Sequence, residues 1–335
     1  MDLNASAPNE TCDVYICKET AQVLFPIFYT LIFLFSIMGN SLVLYVTCLK
    51  QQKFNSTSLY LVNLALSDTL FSLALPGRIV YYIQGFDWPF GDFLCRLTTV
   101  IFYTNTYSGI AFMTCISLDR YLAMVHPHRL LRLRKAESVR VICALVWLLV
   151  SLQTTPLLFR SMLGRSGGRR TCMEYFRLDG SPSLPYLLLL ACGVSFCIPL
   201  GVILACYTQI NLKLFRAAKT NPLTGRSGAR SHRANSVILL ILLTFVLCFS
   251  PYHLNIMQFM VRKLIREPAC EELKAFKMSL QVTVSLMNLN CCLDPVIYFF
   301  AIKTYKQRVM SLFKGRLSTS VPSQKTTTDN SSSNT

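Results

Sequence analysis

Residues 278–302 read MSLQVTVSLMNLNCCLDPVIYFFAI, a run of 25 residues in which Asp294 is the one formally charged side chain. A helix needs about 20 apolar residues to cross a bilayer core of roughly 30 Å, so this run is long enough. Six more runs qualify: 21–49, 54–77, 97–118, 141–159, 180–212 and 234–261. None alternates with period two, and a hydrocarbon core admits only helices or closed barrels. The sequence therefore predicts an all-α membrane protein, a bundle of seven transmembrane helices.

The composition also indicates a membrane protein. Of the 335 residues, 53% are hydrophobic and 15% are charged, against about 25% charged residues in an ordinary soluble domain. The mean hydropathy is +0.43. These values exclude a disordered chain, a collagen-like repeat and a soluble scaffold held by disulfides.

The distribution of charge predicts the orientation of the bundle. Twenty of the 33 Lys and Arg residues lie on the side of the C-terminus, and eleven of the 16 acidic residues lie on the opposite side. By the positive-inside rule the N-terminus is extracellular, where Asn4 and Asn9 are glycosylation acceptors. The net charge of +17 therefore reflects a multi-pass topology in the plasma membrane and not nucleic-acid binding.

The cysteines on the extracellular side suggest two disulfides. Cys95, before the third run, and Cys172, before the fifth, both face the oxidising compartment. A bond between them would hold the intervening loop over the mouth of the bundle. Cys12 or Cys17 could similarly tie the N-terminal tail to Cys270, and we favour Cys12.

Two acidic residues lie within the predicted spans, where an ionisable side chain is costly and therefore indicates function. Asp68 and Asp294 could be packing residues, a proteolytic pair, a conduction site or a polar switch in a receptor. Ser67 and Leu293 precede them, and these are not the residues that precede the acids of intramembrane aspartyl proteases. No span reads as an inverted repeat of another, which weakens the case for a transporter.

Short motifs occur in every run, in a fixed order. They are Gly39-Asn40, Leu64-Ala65-Leu66-Ser67-Asp68, Asp119-Arg120-Tyr121, Trp147, Pro199, Tyr207, Cys248-Phe249-Ser250-Pro251 and Asp294-Pro295-Val296-Ile297-Tyr298. This ordered set resembles the rhodopsin-like (class A) G-protein-coupled receptors. The resemblance implies a receptor that is not an enzyme, has no cofactor and acts on a heterotrimeric G protein.

The resemblance also implies a set of residues that switch between two packings of the bundle. Prolines create joints in helices, because they remove a backbone donor. Asp119 is expected to hold Arg120 until the sixth helix moves outward, after which two tyrosines turn inward. The full set is Asp68, Ile110, Asp119, Arg120, Pro199, Tyr207, Phe245, Phe249, Pro251, Asp294, Pro295 and Tyr298.

Several positions depart from the family pattern. Phe249 stands where tryptophan is usual, and Asp294 replaces the commoner asparagine. A sodium ion held by Asp68 and Asp294, with Asn105 and Asn290, and plain hydrogen bonding of these groups both remain open.

At the foot of the sixth helix the chain reads Arg230-Ser231-His232-Arg233 where many members carry an acid, so we expect signalling without ligand.

The predicted ligand pocket combines one cation with several phenols. Phe102 occupies the position of the aspartate of amine receptors, and Asn288 that of the lysine of opsins, so neither ligand class is favoured. Arg78 lies among Tyr81, Tyr82, Tyr103, Tyr107 and Tyr252, which suits a lipid with hydroxyl or acidic groups. Packing or an aromatic belt would also explain the tyrosines, and snorkelling toward water would explain Arg78.

A closer resemblance covers nearly the whole chain except the tails. Stretches such as Leu75-Pro76-Gly77-Arg78-Ile79 and Pro251-Tyr252-His253 are similar to the oxysterol-sensing, Epstein-Barr-virus-induced chemotactic receptors of lymphocytes. That resemblance implies an oxysterol ligand, contacted by Arg78, Tyr103, Tyr107 and Tyr252, an inhibitory-type G protein and guidance of immune-cell migration. A class A receptor for another lipid or a chemotactic peptide is the alternative, and a transporter or channel is less favoured.

The four segments of the predicted protein are an extracellular tail (1–20), the seven-helix bundle (21–302), an interfacial helix (303–315) that contacts membrane lipid, and a cytosolic tail (316–335). Eleven of the last 18 residues are Ser or Thr. Such a composition does not fold alone and suits phosphorylation by receptor kinases and capture by arrestin.

Overall fold

A computed structural model of the chain describes residues 18–50, 55–127, 131–166, 168–173, 184–220, 236–301 and 305–311. Within these ranges there are seven long helices and one short one. They are α1 (Lys18–Lys50), α2 (Ser56–Ile83), α3 (Gly91–Val125), α4 (Ala136–Thr154), α5 (Leu184–Cys192, Gly193–Cys197 and Ile198–Thr220 in succession), α6 (Ser236–Ile265), α7 (Cys270–Asn288 and Asn290–Ala301) and α8 (305–311).

Six of the described helices are individually long and apolar enough to span a membrane. The seventh, α3, is 35 residues long and more polar, and it presents buried residues along most of its length. The predicted seven-helix bundle is therefore confirmed. The helix that contains the predicted third span, 97–118, extends beyond it at both ends, through Gly91 and Asp92 and through Asp119 and Arg120.

The predicted joints in α5 and α6 appear as π-helical turns directly before the prolines. The amide of Ile198 donates to the carbonyl of Gly193, and the amide of Ser250 donates to that of Phe245. Each bond spans five residues instead of four, so one extra residue is accommodated in the turn. Pro199 and Pro251 follow, where no amide hydrogen is present to continue the normal ladder.

In α7, a side chain from α1 supplies the hydrogen bond that the proline at the joint cannot donate. Pro295 cannot donate to the carbonyl of Cys291, which lies four residues before it. Asn40 Nδ2 donates to that carbonyl instead, at 2.9 Å. The two helices approach closely here, because a Cβ added to Gly39 would lie 2.5 Å from Pro295 Cγ.

A two-stranded antiparallel hairpin covers the extracellular end of the bundle. Its strands are β1 (Leu163–Ser166) and β2 (Arg169–Cys172), with Leu163 opposite Cys172. The amide of Trp88 donates to the carbonyl of Arg170 at 2.7 Å, which joins the hairpin to the loop after α2. Cys95 and Cys172 form a disulfide, as predicted, and it fixes the end of β2 to α3.

Two short 3-10 helices flank α4, Leu131–Arg134 before it and Thr155–Phe159 after it. The first lies at the cytosolic end of the bundle and the second at the extracellular end. Both bring residues of connecting segments into the sites described below.

Candidate functional site

A cavity of about 320 Å³ lies between the extracellular halves of α3, α4, α5 and α6. Three tyrosines predicted as ligand contacts share it: Tyr103 and Tyr107 from α3 and Tyr252 from α6. Most other lining residues are apolar. They are Leu157, Met162, Met173, Leu187, Leu188, Ala191, Cys192 and Ile256, accompanied by Thr99, Gln153, Thr154 and Arg160.

Arg78 lies in a different place from the three tyrosines. It lines a smaller cavity of about 20 Å³ together with Phe102, Met173 and residues of α7. Met173 lines both cavities and has a φ of 66°, a left-handed conformation that is uncommon for a residue with a side chain. The residue after the disulfide therefore lies at the boundary between Arg78 and the larger cavity.

The side chain of Arg78 is buried, with 9% of its surface exposed, so it does not snorkel toward water. Its guanidinium carbon lies 5.6 Å from the ring centre of Tyr81 and 5.7 Å from that of Tyr82. Both rings are fully buried rather than placed in an interfacial belt. Tyr82 also stacks on Tyr29 with 5.3 Å between ring centres, which makes it a packing residue.

Beneath the larger cavity lies an aromatic cluster that contains two residues not identified from the sequence. His253 stacks on Phe196 with 4.4 Å between ring centres, and Phe196 stacks on Phe245 at 5.6 Å. His253 Nδ1 lies 2.8 Å from the carbonyl oxygen of Phe249. The spacing of Phe245, Phe249 and His253 at four-residue intervals on α6 is the signal that indicates a shared helix face.

Two residues of the predicted switch set, Ile110 and Phe245, are buried near this cluster. Ile110 and Phe245 are almost completely buried, and the rings of Phe245 and Phe249 lie 5.4 Å apart. A Cβ added to Gly109 would lie 3.5 Å from the ring of Phe249. Phe249, which stands where tryptophan is usual, therefore packs closely against α3. Packed side chains therefore connect the larger cavity to the joint in α6.

The two acidic residues of the spans lie in one buried polar cluster. Asn105 Nδ2 donates to Asp68 Oδ1 at 2.9 Å. Among the described residues, Asp68 Oδ2, both oxygens of Asp294 and Asn290 Nδ2 have no hydrogen-bond partner. Carboxylate oxygens suit a hard cation such as sodium, so these residues fit such an ion. Sodium binding and plain hydrogen bonding of these groups both stay open.

The two tyrosines of the predicted switch, Tyr207 and Tyr298, both lie in described helices. The side chain of Tyr298 is completely buried in α7, and its hydroxyl makes no hydrogen bond to another described residue. Tyr207 lies on α5 and is half-buried. No hydrogen bond joins these two hydroxyls in the described part of the chain.

At the cytosolic end of α3, the expected pair of Asp119 and Arg120 is not formed. The carboxylate of Asp119 accepts hydrogen bonds from Ser56, Thr57 and Arg134. The Nε atom of Arg120 is buried without a partner within the described ranges. The resemblance implies this pair only for the packing in which the sixth helix has not moved outward, so its role in the switch stays a prediction. In this structure the carboxylate is bound by donors from α2 and from the 3-10 helix before α4.

Several predicted residues lie outside the described ranges. They are Asn4, Asn9, Cys12, Cys17, Arg230, Ser231 and Arg233, with the C-terminal tail from residue 312. Cys270 is disulfide-bonded, and its pairing with Cys12 stays a prediction. The short helix 305–311 falls within the predicted interfacial segment, and Tyr305 in it is buried.

The sequence that forms this bundle matches a known family. The family described as 7 transmembrane receptor (rhodopsin family) matches residues 39–298, so the chain belongs to this family. It is 49% identical to the G-protein coupled receptor 183 of Rattus norvegicus over 321 residues, which cover 95% of this chain and 90% of the rat protein. The human protein of the same name is 47% identical over 322 residues, covering 96% and 89%.

A more distant relative is a purinoceptor of Xenopus laevis, 32% identical over 97% of this chain and 60% of that protein.

Family membership makes the chain a class A G-protein-coupled receptor, a multi-pass protein of the plasma membrane that is not an enzyme. It also removes the transporter, channel and protease alternatives raised by Asp68 and Asp294.

Proposed function

We propose that this receptor binds a hydroxylated sterol and signals through an inhibitory-type G protein. The observation that carries the proposal is the outer cavity, where Tyr103, Tyr107 and Tyr252 line a space with mostly apolar walls. A sterol has a rigid apolar body, which matches such walls, and a few hydroxyl groups, which match a few placed polar groups. The rigidity of the ring system also limits the entropy lost on binding.

Arg78 supports the same ligand class from the neighbouring small cavity. Met173 separates this cavity from the larger one and has a flexible side chain that can adapt to a ligand. A sterol that extends past Met173 would bring one hydroxyl toward the Arg78 guanidinium, which donates charge-assisted hydrogen bonds. We therefore expect Arg78→Ala to weaken binding about tenfold to a hundredfold, since such a bond contributes roughly 1.5–3 kcal/mol.

The decisive experiment compares sterols that differ only in hydroxyl groups. The purified receptor in nanodiscs is titrated with cholesterol and with dihydroxylated cholesterols, and displacement of a radiolabelled dihydroxylated sterol is measured. The variants Tyr103→Phe, Tyr107→Phe and Tyr252→Phe each remove one hydroxyl and retain the ring. We expect each variant that contacts the ligand to lose about fivefold in affinity, the effect of one neutral hydrogen bond.

Tyr186→Phe is the matched control, because Tyr186 lies on α5 near the cavity walls, has 63% of its surface exposed and does not line the cavity. It should bind like the parent receptor. If the radiolabelled sterol shows no saturable binding below its solubility limit, or if a lysophospholipid or chemotactic peptide binds instead, the sterol proposal is wrong.

The proposed partners follow from the same function. Nucleotide exchange on purified heterotrimers of each Gα class should be fastest for the inhibitory type when sterol is present. The tail from residue 316 is rich in Ser and Thr and would recruit arrestin after phosphorylation by receptor kinases. Migration of leukocytes that express the receptor toward a sterol gradient would test the proposed role in immune-cell guidance.

A further inference from the structure

A second cavity, of about 380 Å³, lies between the extracellular ends of α6 and α7. Within the described ranges it shares no lining residue with the cavity proposed for the sterol or with the small cavity beside Arg78. Phe259 and Phe276 form its inner wall, since both are almost completely buried and their rings stack with 3.7 Å between centres. Gln258 and Glu271 are exposed, so the cavity is open to the surroundings of the bundle.

The deeper end of this cavity carries a hydrogen-bond donor without a partner. Asn255 Oδ1 accepts a hydrogen bond from Ser279 Oγ at 3.0 Å. Asn255 Nδ2 is buried and makes no hydrogen bond to any described residue. An unpaired buried donor is costly, and both side chains line the cavity. A molecule that fills the cavity and carries an acceptor oxygen would satisfy this amide.

The extracellular rim of the cavity carries charges of both signs. Arg262 comes from α6, and Glu271 and Glu272 come from the start of α7. Arg262 lies 3.9 Å from Glu272, which is too far for a hydrogen bond, because Glu272 binds Arg266 instead. A purely anionic group here would meet two carboxylates, and a purely cationic group would meet Arg262. A zwitterionic group complements both signs.

The position of the cavity matches the outer leaflet of the bilayer. Asn255 lies ten residues before the end of α6, about 15 Å along the helix axis at 1.5 Å per residue. The charged rim therefore lies nearer the lipid headgroups, and the amide lies deeper. Leu254 and Val261 of α6 are exposed beside the cavity. Met278 and Val282 are exposed in the same way on α7, so acyl chains can pack against both helices.

We propose that this cavity binds one glycerophospholipid of the outer leaflet through a phosphocholine headgroup. Arg262 donates charge-assisted hydrogen bonds to the phosphate, and the carboxylates of Glu271 and Glu272 attract the quaternary ammonium. Asn255 Nδ2 donates to an ester carbonyl at the deeper end. Because the lipid contacts both α6 and α7 in their folded arrangement, its binding also stabilises the bundle.

The test measures saturable binding of lipids to the purified full-length receptor in detergent, by native mass spectrometry. Phosphatidylcholine, phosphatidylglycerol and diacylglycerol with identical acyl chains are compared. We expect phosphatidylcholine to bind about threefold to tenfold more tightly than either of the others, the effect of one charge-assisted hydrogen bond or charge contact. Free glycerophosphocholine separates a lipid site from a simple phosphodiester site, and it should bind much more weakly because it has no acyl chains.

Three variants examine the three parts of the site. Arg262→Gln should weaken phosphatidylcholine about threefold to tenfold and leave diacylglycerol unchanged. Asn255→Leu should weaken all three lipids alike, since all three have ester carbonyls. Ala275→Phe places a ring in the cavity and should abolish saturable binding. Arg165→Gln is the matched control, because Arg165 is an exposed arginine of the extracellular hairpin that does not line the cavity, and it should bind like the parent receptor.

Two outcomes would overturn the proposal. Equal binding of the three lipids would show that they only surround the bundle, and unchanged lipid selectivity in Arg262→Gln would show that no headgroup is recognised. The side chain of Arg262 is 54% exposed, so Arg262→Gln should fold and decide the question even if Ala275→Phe does not.

A competition experiment separates this proposal from the sterol proposal. A dihydroxylated cholesterol should not displace phosphatidylcholine, because the two cavities share no lining residue among those described. Displacement would place the phospholipid in the sterol cavity and reject the second site, while the sterol proposal would stand. Phosphatidylcholine should also raise the melting temperature of the parent receptor, and this rise should be lost in Ala275→Phe.

Discussion

The tight contact between α1 and α7 can be tested by adding a single methyl group. Gly39 of α1 faces Pro295 of α7, and a Cβ added to Gly39 would lie 2.5 Å from Pro295 Cγ and 2.9 Å from Pro295 Cβ. The proline ring is rigid and belongs to the joint in α7, so it cannot rotate away as a flexible side chain would. Gly39→Ala therefore forces α1 and α7 apart.

The magnitude follows from two opposing effects. Alanine is favoured over glycine inside a helix by about 0.8–1 kcal/mol. Insertion of a methyl group into a packed interior costs about 1–3 kcal/mol, and a contact as short as this one belongs at the upper end. We expect Gly39→Ala to lower the free energy of unfolding by about 1–2 kcal/mol after these effects are combined.

The matched control is Gly201→Ala, which lies inside α5 where an added Cβ would meet no atom within 4 Å. It has the same gain in helix propensity without the collision, so the difference between the two variants isolates the steric cost. In thermal unfolding of the unliganded receptor in nanodiscs, Gly39→Ala should melt roughly 3–4 °C below Gly201→Ala. If the two variants melt together, α1 and α7 are not in tight contact at this position and the reasoning is refuted.

Two further predictions concern bonds that join separate parts of the chain. Cys172→Ser opens a loop closed over a sequence separation of 77 residues, which should cost about 4 kcal/mol of stability by the chain-entropy account and abolish ligand binding at the cell surface. Normal surface binding by this variant would contradict the prediction. Asn40→Ala leaves the carbonyl of Cys291 without the donor that replaces the missing amide of Pro295, and should destabilise the receptor by about 1–3 kcal/mol. Thermal unfolding checks it, and an unchanged melting temperature would mean that another donor satisfies this carbonyl.

Much of the fold could be predicted from the sequence because the relevant signals are local. The length of a run such as 278–302, and its content of a single charged residue, can be read without reference to any other part of the chain. The distribution of Lys and Arg gives the orientation for the same reason. The prolines predicted the joints at Pro199 and Pro251, since a missing amide affects its own helix, although the π-helical form of these turns was not evident.

The candidate site could be predicted only in part. Tyr103, Tyr107 and Tyr252 were identified as cavity residues and do share one cavity. Arg78 was placed with them, but Met173 lies at the boundary between its cavity and theirs, and the position of Met173 depends on the loop that follows the disulfide. His253 and Phe196 were not identified as site residues, since their stacking joins two residues on different helices.

The sequence by itself determined that this chain is a seven-helix receptor with its N-terminus outside, and which residues could carry a switch. Only the tertiary structure decided which partner each of those residues has. Asp119 has an arginine beside it in the chain, yet it pairs with Arg134 and with two hydroxyls of α2. The physical reason is that hydropathy and spacing act within one helix, whereas competition among donors for a buried carboxylate is settled by distances between helices.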